Sequence, residues 1–278
     1  MSDIAIRAVD LSKQYRFGQH RSYPDLRESF MKIVYSSFGV SRSDKKIRGA
    51  SSTERTVGDR GYVLANVSFE IQAGEIVAIL GRNGSGKTTL LRILSQITYP
   101  TTGYVQLLGR VGTLLDEGAG FHPELTGREN IYLRGSLLGM KRDEYRRKLE
   151  EIIAFAELEQ VIDTPLKFYS SGMCVRLAFS VAVHLEADIL LVDEVLAAAD
   201  REFQAKCLER MLAAAREGRT VLLVSHDLDY VRAVAGRGLV FDRGRIVYTG
   251  PASDSVDYYV SSSSSQGLIE HSDTVNTW

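Results

Sequence analysis

The chain opens on an interleaved pattern, Ile4, Ile6 and Ala8 alternating with Ala5, Arg7 and Val9, which predicts a strand running into an exit turn at 10–15. From Pro24 to Phe38 the apolar positions change period: Leu26, Phe30, Ile33, Val34 and Phe38 recur at helical spacing among Arg27, Glu28 and Lys32, which predicts an amphipathic helix with proline in its first turn. Ser41 to Arg60 is polar, with six basic residues against Asp44, Glu54 and Asp59, and reads as a mobile loop. Alternation returns over 62–72, on Val63, Ala65, Val67, Phe69 and Ile71. The uniformly apolar runs Ile76 to Leu80, Ile189 to Val192 and Val221 to Val224 predict short buried strands. Tyr104 to Leu108 and Val111 to Leu115 predict two further strands around Gly109, and 239–241 with 246–248 a hairpin around Arg243-Gly244. Helical patterns occupy 88–96, 126–138, 142–158, 173–185 and 201–216, and the serine run 261–265 reads as part of a flexible tail at 259–278. Strands alternating with helices argue an α/β fold, a mostly parallel sheet covered on both faces.

Composition narrows the class. At 278 residues, 44% apolar and 25% charged, the chain can build one large or two small cores. A net charge of −1 carries no global footprint for nucleic acid. Cys174 and Cys207 have no metal-ligand spacing and form no disulfide framework, which fits a reducing compartment. The N-terminal stretch reads as a strand rather than a signal peptide, and no run of eighteen apolar residues occurs, so the expectation is a peripheral protein on the cytoplasmic side.

The chemistry starts at Gly81-Arg82-Asn83-Gly84-Ser85-Gly86-Lys87-Thr88, a match to the phosphate-loop pattern between a predicted strand and a predicted helix that takes in Thr89. Its glycines let the backbone approach phosphates and aim N–H groups at them from a helix N-terminus. Lys87 is then placed to reach the β- and γ-phosphates of ATP, and the Thr88 hydroxyl to ligate Mg²⁺. Hydrolysis needs in addition a metal-holding carboxylate and a group that orients water. Asp193 and Glu194, closing the strand 189–192, fit those two roles, and His226, at the end of the strand 221–224, is a candidate for contact with the γ-phosphate. A carboxylate pair ending a strand also serves as a helix cap, and a lone histidine is often structural, so these residues draw their meaning from the phosphate loop that precedes them.

Taken in order, Gly81 to Thr88, Ser170-Ser171-Gly172-Met173, Ile189 to Glu194, Ala199-Asp200 and His226 resemble the Walker A, signature, Walker B, D-loop and H-loop motifs of ABC-transporter ATP-binding subunits, over about residues 1 to 258. The resemblance implies a P-loop NTPase with a RecA-like core, an antiparallel β-subdomain and an inserted helical subdomain at 118–184. It further implies a head-to-tail homodimer with two ATPs at its interface, each held by one chain's phosphate loop and the other chain's signature turn. Tyr15 falls where such proteins stack an aromatic on adenine. Two departures, Tyr169-Ser170-Ser171-Gly172-Met173 for the usual L-S-G-G-Q and Glu117 where glutamine is usual, a hard oxygen ligand for Mg²⁺ that adds charge beside the triphosphate, look like the branch that exports bacterial O-antigen, capsule and teichoic acid.

That likeness implies a polytopic permease in the inner membrane as partner and a lipid-linked polysaccharide as cargo, with no nucleic acid. The segment 16–60 is an insertion whose helix either lies at the membrane beside the permease or packs on its own domain. After Tyr259 only about twenty residues remain, too few for an appended carbohydrate-binding β-sandwich. The alternatives are the same engine on another lipid or a drug, and a soluble ABC ATPase acting on nucleic acid, which a single nucleotide domain without basic bias disfavours.

Overall fold

The computed structural model of the chain describes residues 4–15, 45–48, 61–114, 120–193 and 200–270. The predicted helix at 24–38, Glu117 and Glu194 lie outside them, as does most of the predicted loop at 41–60.

Two sheets share one core. The first is antiparallel and is built from β1 (Ile4–Gln14), β2 (Lys45–Arg48), β3 (Tyr62–Gln72) and β5 (Thr102–Leu107) in the order β2-β5-β1-β3. The second contains β4 (Ile76–Gly81), β6 (Val111–Leu114), β7 (Ile189–Val192), β8 (Thr220–Val224), β9 (Arg237–Asp242) and β10 (Arg245–Pro251), in the order β10-β9-β4-β8-β7-β6. Its strands are parallel except for the β9–β10 hairpin. Apolar residues on both faces of the central strands explain the uniform runs in the sequence. Ile79, Leu191, Leu222 and Val224 pack toward the first sheet and α1 (Lys87–Leu94), whereas Leu190, Val192, Val221 and Leu223 face Phe179, Phe203 and Met211 on the opposite side.

A helical unit lies between β6 and β7. Thr126 caps α2 (Gly127–Leu137), accepting from the Glu129 N–H at 3.2 Å while the Glu129 carboxylate accepts from the Thr126 N–H at 2.9 Å, a reciprocal pair that satisfies two otherwise orphaned donors. It is followed by α3 (Arg142–Ala156), a 3₁₀ turn at Leu166–Phe168 and α4 (Ser171–Val183). Their shared core holds Ile131, Ile152, Ile153, Leu177 and Val181. On the far side of β7 the chain continues through α5 (Arg201–Arg216), α6 (Leu228–Val234) and α7 (Ala252–Glu270).

Two expectations change. Residues 45–48, expected in a mobile loop, form β2, paired antiparallel with β5 from Lys45 opposite Leu107 to Arg48 opposite Tyr104. The single apolar residue there, Ile47, is buried in the main core, and that burial offsets the polar composition around it by about 2 kcal/mol. The stretch 259–270, expected in a flexible tail, is helical within α7. Val256 is buried against Leu80 and Val240, Tyr258 stacks on Tyr248 at 4.7 Å, and the Ser261 and Ser262 hydroxyls donate back to the Tyr258 and Tyr259 carbonyls at 3.0 Å, so serine costs the helix little. The two strands expected around Gly109 both form, and they belong to different sheets, β5 to the first and β6 to the second.

Candidate functional site

The parallel strands place three motifs on one edge of the second sheet. In β4 and β8, Ile79 is opposite Val224, and in β7 and β8, Val192 is opposite Leu223. Gly81, Asp193 and His226 therefore leave neighbouring strands β4, β7 and β8 at their carboxyl ends, where open α/β sheets bind ligands. Asp193 is half-buried and His226 is exposed.

The phosphate loop is a turn only glycine can make. Gly81, Gly84 and Gly86 have φ of 150°, 81° and 105°. A Cβ on Gly81 would sit 2.4 Å from the Phe241 carbonyl oxygen, and one on Gly86 2.7 Å from the Val63 carbonyl oxygen, so β3 and β9 press on the loop from behind. On Gly84 it would meet nothing within 4 Å, which marks the open side. Arg82, Asn83 and Thr88 are exposed and Thr89 is half-buried, whereas Ser85 and Lys87 are buried. The Lys87 ammonium donates to the Gly81 carbonyl at 2.6 Å and the Arg82 carbonyl at 3.1 Å, bracing the loop from within. Ser85 N–H donates to Arg82 at 3.1 Å, and the Ser85 carbonyl accepts from Gly244 N–H at 3.0 Å.

The residues fit a bound phosphate. Side-chain oxygens cap α2, α4, α5 and α6 (Thr126, Ser170, Asp200 and Asp227), but α1 begins after Gly86, which offers no side-chain acceptor, and its first turn holds no acid. A helix N-terminus without a side-chain cap favours an anion. The Ser85 hydroxyl in the same loop is buried without a side-chain hydrogen-bond partner. The Thr88 hydroxyl and Asp193 carboxylate are hard oxygen donors, of the kind and number Mg²⁺ takes from a protein when phosphates complete its shell.

Tyr15 follows β1, whose Gln14 is opposite Tyr62 and whose Lys13 is opposite Leu64, a neighbour of Gly86. It is 36% exposed, enough to offer a ring face, and the Lys13 ammonium lies 5.1 Å from its centroid while donating to the Tyr99 carbonyl at 2.7 Å. Burial pushes the Lys13 pKa down.

The signature turn stands elsewhere in the chain. Ser170 caps α4 and is exposed, its Oγ accepting from Met173 N–H at 3.2 Å while its own N–H reaches the Met173 sulfur at 3.4 Å. Ser171 is exposed, Gly172 and Met173 are half-buried, and the turn rests on the helical unit's core through Tyr169 and Met173, not on the core beneath the phosphate loop. The Tyr169 hydroxyl donates to the Val161 carbonyl at 2.7 Å, and burial pushes its pKa up to about 12. Asp200, exposed, caps α5 by accepting from Phe203 N–H at 2.8 Å.

Sequence reasoning missed two contributors. Gly244 backs the phosphate loop from the β9–β10 turn, and Arg176 joins the signature helix to the start of α5, as described below. Gly244 had a signal in the hairpin pattern; the contacts of Arg176 span 19 or more residues and left none.

Comparison with known proteins agrees with this geometry. Residues 64–197 match the family model described as ABC transporter. An O-antigen export system ATP-binding protein of Klebsiella pneumoniae is 40% identical over 226 residues, 81% of this chain and 92% of the relative. One of Myxococcus xanthus is 46% identical over 196 residues, 70% of this chain, which spans 45% of that longer relative. The fold is similar to a solved dimeric structure of a post-hydrolysis state of the ATP-binding cassette MJ0796 bound to ADP and Pi, with TM-score 0.65 and 22% identity over 89% of this chain and 98% of that one.

Proposed function

As the chain belongs to the ABC transporter family of ATP-binding proteins, we propose that it is the ATP-hydrolysing subunit of an exporter that moves a lipid-linked surface polysaccharide across the bacterial inner membrane. The observation that carries the ATPase reading is the shared edge of β4, β8 and β7, where an uncapped helix N-terminus, Asp193 and His226 meet. The polysaccharide cargo rests on the two O-antigen export relatives.

In this reading the loop Gly81 to Thr89 wraps the phosphates with its N–H groups, Lys87 turns its ammonium from the loop carbonyls to the β- and γ-phosphates, and Tyr15 stacks on adenine. Thr88, Asp193 and Glu117 would hold Mg²⁺, which would offset the charge of the phosphates. Glu194 orients and deprotonates the attacking water, and His226 donates to the γ-phosphate. Two copies close head to tail, so that Ser170, Ser171, Gly172 and Met173 of each complete the other's site and Asp200 lies at the seam. A polytopic permease receives that motion, with the dimer on the cytoplasmic face of the membrane; among the described residues no helix is long and apolar enough to cross it.

The test is ATP hydrolysis by wild type and Glu194→Gln, alone and reconstituted with the candidate permease and lipid-linked glycan. Loss of turnover in Glu194→Gln and a rate that responds to glycan support the reading. Undiminished turnover in the variant overturns the role of Glu194, and indifference to permease and glycan overturns the cargo.

A further inference from the structure

Arg176 lies on α4, six residues after the capping Ser170, and its guanidinium ties that helix to two others, α3 and α5. Its Nε donates to the Ala156 carbonyl at the end of α3 at 3.0 Å, and its Nη2 pairs with the carboxylate of Glu157, the residue that ends α3 at φ 56°. Its Nη1 is 3.9 Å from Asp200 Oδ2, and its Cζ lies over the Phe203 ring, 5.2 Å from the centroid. Asp200 and Phe203 are themselves the capping pair that starts α5. A second cation on α5, Lys206, closes the cluster by donating to Glu157 at 3.0 Å and to the Phe155 carbonyl at 3.1 Å. Lys206 first, then Arg176, hold the Glu157 carboxyl below its ordinary range.

The Arg176 side chain is 22% exposed, so its contacts are partly shielded from water. Only a planar fork meets a helix-end carbonyl, a carboxylate and an aromatic face at once. Sliding α4 against α5 would separate it from Asp200 and Phe203 together.

We propose that Arg176 is a positioning residue for ATP hydrolysis, holding the helix that presents the signature turn in register with the helix that begins at Asp200. The inference rests on the reading of Ser170 to Met173 as the turn that completes a second copy's nucleotide site. Asp200 follows the strand-end carboxylates of the chain's own site. Through Arg176 the site a chain builds and the site it completes move as one body, and dimer closure positions both.

The experiment uses the full chain in a Glu194→Gln background for ATP-driven dimerisation, read by analytical ultracentrifugation, and the otherwise native chain for turnover. Arg176→Ala and Arg176→Lys are compared, with binding of a fluorescent ATP analogue to the monomer as the control for the phosphate loop. Both variants should keep monomer affinity within about twofold, lose ATP-driven dimer and drop kcat by about 10- to 100-fold, the scale of a small misplacement of catalytic groups. Lysine should recover thermal stability through its charge without recovering kcat. Full recovery of kcat by lysine, or a loss in either variant that only follows the folded fraction, overturns the inference and leaves Arg176 a structural cation. If the Glu194→Gln parent itself forms no ATP-dependent dimer, the reading of the signature turn fails and takes the inference with it.

Discussion

The Gly244 N–H donates to the Ser85 carbonyl at 3.0 Å, so the β9–β10 turn is the backstop of the phosphate loop. Gly244 also accepts from Ala65 N–H at 2.9 Å and is held at φ 78°, where a Cβ would lie 2.5 Å from the Val63 carbonyl oxygen. Gly244→Ala should therefore cost about 2 kcal/mol from left-handed backbone and overpacking, and weaken ATP binding with it. Thermal melts and nucleotide titration check this. An unchanged melting temperature would show that the turn relaxes freely.

Lys87 has a role before any nucleotide arrives, since its ammonium donates to two loop carbonyls in a buried position. Lys87→Met should lower the stability of the nucleotide-free chain by about 1.5–3 kcal/mol, the worth of charged hydrogen bonds, and also abolish measurable ATP binding. Denaturant unfolding without ATP isolates the first effect; a stability equal to wild type would mean that the ammonium serves the ligand alone.

Ser170 separates capping from catalysis. Ser170→Ala should destabilise the chain by about 1 kcal/mol and Ser170→Gly by only a few tenths, because glycine tolerates the cap position. Under the proposed head-to-tail dimer, turnover should fall alike in both, as each removes the hydroxyl that would be offered to the second copy. Activity that tracks stability through the pair would assign Ser170 to the cap and nothing more.

Glu144 is 2% exposed, accepts from Glu186 N–H at 2.7 Å and pairs with Arg110 at 3.0 Å, tying α3 to the start of β6. Removing the carboxylate in Glu144→Ala should cost about 3 kcal/mol, at the low end for a broken buried pair because Arg110 keeps some water. Equilibrium unfolding measures it.

Acid should loosen α4. His184 ends that helix, its Nδ1–H donating to the Ser180 carbonyl at 2.7 Å, and burial lowers its pKa; the Ser180 carbonyl and Glu151 oppose this, while Arg210 and Lys148 add to it. With the folded pKa below the unfolded one, the unfolded chain binds more protons below about pH 6.5. This contribution is intact above that pH and is lost as pH falls toward the folded value. His184→Gln keeps a donor but does not titrate, so its stability should fall less on acidification between pH 6.5 and 5. Parallel curves would remove His184 as the cause.

Local chemistry made much of this molecule legible in advance. The phosphate loop, the carboxylate closing β7 and the buried strands were readable because glycine spacing and uniform apolar runs are short-range signals. What stayed hidden depends on partners distant in sequence. Ile47 becomes a strand residue only because β5 lies beside it, and the serines of α7 stay helical because the residues before them dock on β4 and β9. Gly109 gave two strands but not two sheets, since alternation identifies a strand without naming its neighbour.

Only Leu108, Gly109 and Arg110 carry the chain from β5 to β6. Asp188 grips that passage, its carboxylate accepting from Arg110 N–H at 2.7 Å and its N–H donating to the Arg110 carbonyl at 2.9 Å, while its own carbonyl accepts from Thr220 N–H at 2.9 Å. With both sheets also sharing one apolar interior, neither can fray while the other stays protected. Amide protons of β5 and β7 should exchange through a single opening event, so that the antiparallel sheet and the sheet that carries the phosphate loop melt together.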